Sequence, residues 1–511
     1  MNRRNFVLGT VGAAALSGAR NLGNRATNPN TLVVDASGTP SAPVISRLIY
    51  GHFAEHLGRL MYDGIWVGEG SPIPNTRGMR TDIIEALRAI RVPVVRWPGG
   101  CYADKYHWKD GVGPRPNRPE YRRGFVDTNH FGTHEFMDFC ELVGCEPFLC
   151  GNVGSGDVRE SVEWVEYVTA SDKRPMADMR RKNGREEPWK LKYLAIGNEN
   201  WGCGGNMTAE YYSDLYNQFA TFLPGNLYKV ACGLENSVWM ETLLKKCARR
   251  MQGISLHHYI TAGTWREKGS ATEFDEQGWF TVVKRAADMD GVVRKYAAIM
   301  DEADPQKRIG IVYDEWGTWF DPGPGARQGS LYQQNTIRDA VLAGVVLNVF
   351  NWHCDRISMA NIAQVVNVLQ AMILTDGPRM VLTPTYHVFE MYKVHHDARL
   401  LPCTLKCGSY SMGQETTSAL HVSASRDEAG RIHLSVCNLD HSQPQPIFVE
   451  FAGARVSSVS GRVLTAAAIN AHNTFDSPDV VKPMPFTNAA ISNGTLKAEF
   501  PAKSVTVLDI G

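Results

Sequence analysis

The chain has 511 residues, more than one ordinary domain holds, so we expect a large catalytic unit and at least one smaller module. Its hydrophobic fraction of 43% excludes a disordered chain. Lys and Arg together number 53, as do Asp and Glu, so no overall positive field attracts a phosphate backbone, and we predict no nucleic-acid partner.

Residues 1–30 are predicted to be an export signal and linker. Arg3 and Arg4 precede the apolar run 7–16, and the small residues 17–19 resemble a cleavage signature. Paired arginines before a mild apolar run are typical of twin-arginine signals, so we expect a periplasmic or secreted protein; a frayed basic terminus is the alternative. Beyond this segment no run approaches the roughly 18 apolar residues of a membrane helix, so we predict no membrane partner.

Residues 46–396 alternate short apolar runs with segments of helical period. Helical segments are predicted at 208–222, 281–303 and 332–344. Short apolar strands alternating with helices favour an α/β fold, here a (β/α)8 TIM barrel with its chemistry at the C-terminal strand ends. A doubly wound open sheet is the alternative. The predicted strands are 48–50, 92–95, 147–149, 193–196, 230–232, 254–256, 309–313 and 345–350.

Residues 397–511 have a different period. Short β-rich runs separated by turn residues predict a C-terminal antiparallel β-sandwich, jelly-roll-like in character. The segment 31–45 opens with a run of the same kind, so we expect it to add an N-terminal strand to the sandwich. The β-rich runs lie at 418–422, 431–436, 446–451 and 504–508.

Two glutamates at predicted strand ends are the most informative feature. Glu199 follows the fourth predicted strand and Glu315 follows the seventh. A closed barrel points both side chains into one cleft, and two facing carboxyls are what glycoside cleavage requires. Retention of configuration predicts carboxyls about 5–5.5 Å apart, with the acid holding its proton near neutral pH. The reaction needs no metal and no cofactor.

Six motifs occur in order between residues 50 and 364: YGHFAEHLG at 50–58, RWPGG at 96–100, GNEN at 197–200, HHY at 257–259, DEW at 314–316 and MANIAQ at 359–364. In sequence and order they resemble the α-L-arabinofuranosidases of glycoside hydrolase family 51, from about residue 31 to the C-terminus. The resemblance implies a retaining, exo-acting hydrolase with a barrel and a C-terminal sandwich. Its substrate would be terminal α-L-arabinofuranosyl groups of plant cell-wall arabinoxylan, arabinan or their oligosaccharides. It also implies a homo-oligomer, a hexamer.

The resemblance further assigns roles to residues of these motifs. Glu199 is implied to be the general acid/base and Glu315 the nucleophile. The implied substrate-binding set is Asn198 at the sugar 2-hydroxyl, Glu55 and Gln364 at other hydroxyls, Tyr259 orienting the nucleophile with His257 nearby, Trp319 in the apolar wall, and Arg96 and Cys101.

Cys101 departs from the family pattern, which often has asparagine after the RWPGG-type turn. Cysteine is a weak hydrogen-bond partner, so Asp104 or water takes over the contact, or the ring preference differs. The alternative is that Cys101 is a small buried filler. The chain has eleven cysteines and no C-x-x-C pair, so we predict mostly buried thiols and a few disulfides.

Three other functions are weighed against this prediction. His52, Glu55 and His56 match the H-x-x-E-H pattern of a zinc peptidase, but that site needs a helix and we predict a strand end and loop. An endo-β-glucanase or a xylosidase could use the same carboxylate pair, depending on the rim segments 59–78, 101–131 and 260–280. A non-catalytic sugar-binding protein would use as stacking platforms Trp265, Trp279, Trp316 and Trp319.

Overall fold

The computed structural model describes residues 30–37, 42–122, 126–323, 326 and 329–511. Residues 1–29, which hold the predicted export signal, lie outside the described residues. Within these ranges, no helix combines the length and the apolar character needed to span a bilayer.

Eight parallel strands close into a barrel, which confirms the predicted fold class. The last strand pairs with the first, with Ile362 opposite His52, so the open-sheet alternative is wrong. In chain order, barrel strands 1 to 8 are Gly51–Phe53, Val94–Trp97, Glu146–Gly151, Tyr193–Ile196, Tyr228–Cys232, Gly253–Ile260, Gly310–Thr318 and Ile357–Ala363.

Two of the predicted strands are wrong. Residues 48–50 lie in the 3₁₀ helix Arg47–Tyr50, and barrel strand 1 begins only at Gly51. Residues 345–350 lie in the helix Ile337–Trp352, and the eighth strand follows that helix. This helix is buried from Ile337 to Asn351, so it has no polar face to reveal its helical period.

The other α-helices connect barrel strands, except Pro384–Tyr392, which leads from the last barrel strand to the sandwich. Thr208, for example, begins the helix after barrel strand 4, where its side chain accepts a hydrogen bond from the backbone N–H of Tyr211 at 3.3 Å. In the described residues the α-helices are Thr81–Ala89, Thr133–Val143, Val158–Thr169, Pro175–Lys182, Ala209–Phe222, Ser237–Cys247, Glu276–Ala303, Ile337–Trp352 and Pro384–Tyr392.

Two sheets follow the barrel and pack face to face around an apolar core that includes Leu32, Val449 and Leu508. Alternate residues of Gln445–Ala452 are buried, as expected when one face of a sheet meets the core. The five-stranded sheet has the order Cys403–Lys406, Asn30–Asp35, Gln445–Ala452, Thr495–Phe500, Ala489–Ser492. The six-stranded sheet has the order Arg399–Leu401, Leu420–Arg426, Ile432–Asn438, Ser504–Ile510, Val459–Leu464, Met484–Pro485.

The strand Asn30–Asp35 is unusual because it comes from the start of the described chain. It pairs antiparallel with Cys403–Lys406 on one side and parallel with Gln445–Ala452 on the other. The sandwich is therefore completed by a strand that precedes the barrel in the chain.

The buried helix Ile337–Trp352 joins the sandwich to the barrel. Asn348 Oδ1 accepts a hydrogen bond from the hydroxyl of Ser435, in the sandwich, at 2.7 Å. From the same helix, Asp339 Oδ1 accepts one from the hydroxyl of Thr318, the last residue of barrel strand 7, at 2.8 Å. The sandwich thus supports the strand that carries Glu315.

Candidate active site

The predicted site residues all lie at the C-terminal end of the barrel, where parallel strands direct their following loops into one cleft. They come from barrel strands 1, 2, 4, 6, 7 and 8 and from the loops that follow them. Four of them lie within strands: Arg96 in strand 2, His257 and Tyr259 in strand 6, and Glu315 in strand 7. The others lie in the loops that follow the strands: Glu55 after strand 1, Cys101 after strand 2, Asn198 and Glu199 after strand 4, Trp319 after strand 7, and Gln364 after strand 8.

The two glutamates meet across this cleft. A carboxylate oxygen of Glu199, a carboxylate oxygen of Glu315 and a ring nitrogen of His257 all lie within 4.8 Å of one another. Glu199 adopts a left-handed backbone conformation with φ of 41°, which costs a non-glycine residue roughly 1–2 kcal/mol. The turn after strand 4 therefore carries a strained residue that faces Glu315.

Both oxygens of Glu315 are held by hydrogen bonds. Arg96 Nη1 donates to Oε1 at 2.8 Å, and the hydroxyl of Tyr259 donates to Oε2 at 2.8 Å. Arg96 is completely buried, and it also contacts Asp314 Oδ2 through Nε at 3.1 Å and donates to Asn198 Oδ1 at 2.6 Å. Burial of a guanidinium is tolerated because its donors are paired with these acceptors. Glu315 is therefore fixed in orientation within a buried charge network.

Glu199 is held by a histidine. His257 Nδ1 lies 2.8 Å from Glu199 Oε1, and its Nε2 lies 3.2 Å from Asp314 Oδ1. Asp314 is buried and also accepts a hydrogen bond from the hydroxyl of Ser255. Two carboxylates thus flank one imidazole, and this position favours its protonated form.

The position of the proton differs from the sequence expectation. Burial lowers the pKa of His257, but the carboxylates of Glu315, Asp314 and Glu199 outweigh burial and raise it well above the ordinary value. Burial raises the pKa of Glu199, but the hydrogen bond and charge of His257, with the charge of Arg96, leave it below the ordinary value. Without substrate, these opposite shifts favour a protonated His257 beside an ionised Glu199.

Glu55 and Gln364 form a second hydrogen-bonded pair. Gln364 Nε2 donates to Glu55 Oε2 at 3.3 Å, and the backbone N–H of Tyr102 donates to Oε1 at 3.2 Å. Burial, with the nearby charge of Glu315, raises the pKa of Glu55 to about 7 against the effect of these hydrogen bonds. Glu55 is therefore partly protonated at neutral pH, and its carboxyl can donate or accept a hydrogen bond.

Asn198 presents an unused donor. Its Oδ1 accepts from Arg96, but its Nδ2 is buried and has no hydrogen-bond partner among the described residues. An unsatisfied buried donor costs about 1–3 kcal/mol, so a ligand oxygen at this point would recover that free energy.

Aromatic rings extend from the nucleophile to the rim. Trp319 packs edge-on against Tyr259 with ring centroids 5.2 Å apart, and Trp265, 61% exposed, lies 5.5 Å from Trp319. Trp279 and Trp316 are buried in the core, so they are not stacking platforms. This removes two of the four rings on which the sugar-binding alternative depends.

Cys101 forms a disulfide with Cys203, and neither half of the bridge is buried. The buried-filler alternative is therefore wrong. Asp104 does not replace the missing asparagine, because its buried carboxylate accepts backbone N–H groups of Val153, Gly154 and Asn198 at 2.7–2.9 Å. The other nine cysteines have free thiols, five of which are buried.

Similarity to known proteins agrees with this geometry. Residues 86–268 match the α-L-arabinofuranosidase 1 domain, and residues 314–504 match the α-L-arabinofuranosidase C-terminal domain. The chain is 48% identical over 478 residues to the intracellular exo-α-L-arabinofuranosidase of Bacteroides ovatus, covering 91% of this chain and 93% of that protein. The chain belongs to the α-L-arabinofuranosidases of glycoside hydrolase family 51.

Solved structures place it in the same family. The GH51 arabinofuranosidase of Xanthomonas axonopodis pv. citri superposes with a TM-score of 0.92 at 43% identity, over 94% of this chain and 100% of that one. The arabinose complex of the Thermotoga maritima α-L-arabinofuranosidase gives a TM-score of 0.84 at 28% identity, over 94% and 99%. The predicted family and the barrel with its sandwich are confirmed.

The family member's site contains three residues that the sequence reasoning did not assign. Cys203 lies four residues after Glu199 in a glycine-rich loop, and Cys101 directly follows the RWPGG motif. A cysteine close to each of two site motifs was the sequence signal for the disulfide. Asp314 is the first residue of the DEW motif, but its contact with His257 could not be predicted from the sequence. Ser255 carried no signal of its own.

The zinc-peptidase alternative is wrong for this arabinofuranosidase. His52 lies in barrel strand 1 and packs against Phe389, with ring centroids 5.0 Å apart. His56 follows the strand, and its Nδ1 lies 3.0 Å from Asp127 Oδ2. The two histidines do not share a helix, which that zinc site requires.

Proposed function

We propose that this enzyme hydrolyses terminal α-L-arabinofuranosides by double displacement, with Glu315 as the nucleophile and Glu199 as the general acid/base. The observation that carries the proposal is the approach of the two carboxylates to within 4.8 Å in one cleft. Retaining enzymes hold their two carboxyls about 5–5.5 Å apart and inverting enzymes about 6.5–9.5 Å apart, so the close approach of one oxygen from each glutamate favours the retaining arrangement.

The first step breaks the glycosidic bond. Glu315 attacks C1 of the sugar, and Glu199 transfers a proton to the departing oxygen. The bound sugar excludes water from Glu199 and so disfavours its ionised form. Glu199 therefore takes up a proton when the substrate binds, and this is the proton that it transfers. In the second step Glu199 removes a proton from water, the water oxygen attacks C1, and L-arabinose leaves with Glu315 restored.

The surrounding residues bind the sugar in this proposal. Asn198 donates its free Nδ2 to the 2-hydroxyl, Glu55 and Gln364 bind other hydroxyls, and Trp319 packs against the ring face. Arg96 and Tyr259 hold Glu315 in line with C1. The substrates are arabinose-bearing cell-wall oligosaccharides or polysaccharides. A homo-oligomer, a hexamer by family resemblance, stays a prediction.

The direct test is hydrolysis of para-nitrophenyl α-L-arabinofuranoside followed by proton NMR. We expect turnover with the α-anomer of arabinofuranose appearing first, because two inversions at C1 restore the configuration. Initial appearance of the β-anomer would contradict double displacement. The matched substrates are para-nitrophenyl β-D-xylopyranoside and a soluble β-glucan, and preference for either would favour a xylosidase or an endo-glucanase. Absence of turnover on all three would favour a sugar-binding protein.

We also propose that the protein is exported through the twin-arginine pathway. Arg3 and Arg4 carry this proposal, and the disulfide Cys101–Cys203 supports it because disulfides persist in oxidising compartments. Arg3→Lys/Arg4→Lys should keep the unprocessed protein in the cytoplasm, as measured by cell fractionation. The control Arg20→Lys/Arg25→Lys leaves the pair intact and should be exported. Unchanged export of the first variant would remove the proposal.

A further inference from the structure

The disulfide lies directly against the proposed acid/base. Cys203 Sγ is 3.4 Å and Cys101 Sγ is 3.9 Å from Glu199 Oε2, the oxygen that His257 does not bind. Sulfurs joined in a disulfide carry no hydrogen to donate. No nitrogen or hydroxyl of the described residues donates to this oxygen, so its closest polar neighbours are two sulfur atoms.

These three donor groups match the preference of a thiophilic divalent cation. The two sulfurs and a Glu199 oxygen lie within 4.8 Å of one another. A tetrahedral Zn²⁺ site has Zn–S bonds of about 2.3 Å and Zn–O bonds of about 2.0–2.2 Å, which puts neighbouring ligand atoms roughly 3.5–3.8 Å apart. The sulfur-to-oxygen distances already lie close to this spacing, and only the two sulfurs need to separate.

We propose that reduction of Cys101–Cys203 creates a binding site for a thiophilic divalent cation, Zn²⁺ or Cd²⁺, with the two thiolates and the Glu199 carboxylate as ligands. The fourth position faces the cleft. A cation held there prevents Glu199 from exchanging a proton with substrate, so binding inhibits hydrolysis. The inhibition rests on the proposed role of Glu199, whereas the metal site itself does not.

The chemistry balances with a phosphine as the reductant. The phosphine attacks one sulfur, the S–S bond breaks, and water supplies the oxygen of the phosphine oxide and the two protons of the thiols. Each thiol then loses its proton when it binds the cation, so two protons are released per ion. Binding therefore strengthens as the pH rises.

Hydrogen bonds tie the loops of the two cysteines to the acid/base turn in addition to the disulfide. Asp104, three residues after Cys101, accepts a hydrogen bond at 2.9 Å from the backbone N–H of Asn198, beside Glu199. Asn200 Nδ2 donates to the carbonyl of Gly204, beside Cys203, at 2.7 Å. Because these hydrogen bonds tie both loops to the acid/base turn, the thiols stay close to Glu199 after reduction.

Cadmium titration of the oxidised and the reduced full-length enzyme tests the site. After removal of the phosphine without air, the ultraviolet charge-transfer band of cadmium–thiolate should show one more bound ion per chain in the reduced enzyme than in the oxidised one. The oxidised enzyme is the matched control because it retains the same nine free cysteines. Equal uptake by the two forms would overturn the proposal.

Variants separate the ligands. Cys101→Ser/Cys203→Ser should lose the additional ion, and uptake by this variant equal to that of the reduced enzyme would place the ion at other cysteines. Reduced Glu199→Gln should bind it roughly tenfold or more weakly. Unchanged affinity would remove the carboxylate from the site.

Activity then tests the coupling. Zn²⁺ should inhibit arabinofuranoside hydrolysis by the reduced enzyme, with recovery on chelation, and should leave the oxidised enzyme active. If the additional ion binds without inhibiting hydrolysis, the metal site stands and Glu199 is not the acid/base. If no additional ion binds, the metal site is wrong and the role of Glu199 is unaffected.

Discussion

Replacing Glu315 with alanine should abolish arabinofuranoside hydrolysis and leave the fold intact. In the proposed mechanism the carboxylate of Glu315 bonds to C1, and Arg96 and Tyr259 hold this carboxylate by hydrogen bonds. Without it no glycosyl-enzyme forms, and losses for a removed nucleophile are on the order of 10⁴- to 10⁶-fold in kcat. Turnover of para-nitrophenyl α-L-arabinofuranoside measures the effect, and circular dichroism with the thermal midpoint measures the fold.

Two further variants sharpen this prediction. Glu315→Gln keeps the side-chain shape but not the charge, so it should be as inactive as the alanine variant. Glu267→Ala removes an exposed glutamate from the rim segment 260–280 and should retain wild-type turnover. Near-wild-type activity of either Glu315 variant would transfer the nucleophile role to another residue.

Glu199→Ala should lose more activity on substrates with poor leaving groups than on substrates with good ones. A sugar leaving group needs a proton from Glu199, and loss of general acid catalysis costs about 10²- to 10⁴-fold. A nitrophenolate departs without that proton, so its first step should stay fast. The second step still lacks its base, so a burst of nitrophenolate should precede slow turnover of the accumulated glycosyl-enzyme.

Azide distinguishes this acid/base role from simple damage to the site. The anion needs no deprotonation and can enter the space left by the carboxylate, so it should speed the second step and yield an arabinofuranosyl azide of retained configuration. Glu199→Gln, which keeps a partner for His257, is the structural control, because His257 lies 2.8 Å from the wild-type carboxylate. Equal losses on all leaving groups, without azide rescue, would contradict the assignment.

Much of the architecture could be predicted from local pattern. The alternation of apolar runs and helical segments located six of the eight barrel strands, because strands buried on both faces of a parallel sheet read as short apolar runs. The same rule failed for residues 345–350. A helix enclosed between barrel and sandwich is as apolar as a buried strand, and only its length, Ile337–Trp352, distinguishes it.

From the sequence, the residues that meet in the site could be predicted only where they lie at the ends of barrel strands. Glu199 and Glu315 could be brought together because carboxyl ends of barrel strands share one mouth. The raised pKa of His257 depends on Glu199 and on the neighbouring pair Asp314 and Glu315, which lie on different strand ends, and the disulfide between Cys101 and Cys203 depends on two loops that face each other. Such properties arise from distances that a single sequence does not encode locally.

The place of the strand Asn30–Asp35 has a consequence for biosynthesis. Its two neighbours, Cys403–Lys406 and Gln445–Ala452, are synthesised only after the whole barrel. The strand therefore waits until the barrel has been translated before its backbone groups are paired, and pairing across such a separation is slow. Nascent chains that stall early would expose this unpaired edge, which makes it a natural point of engagement for chaperones.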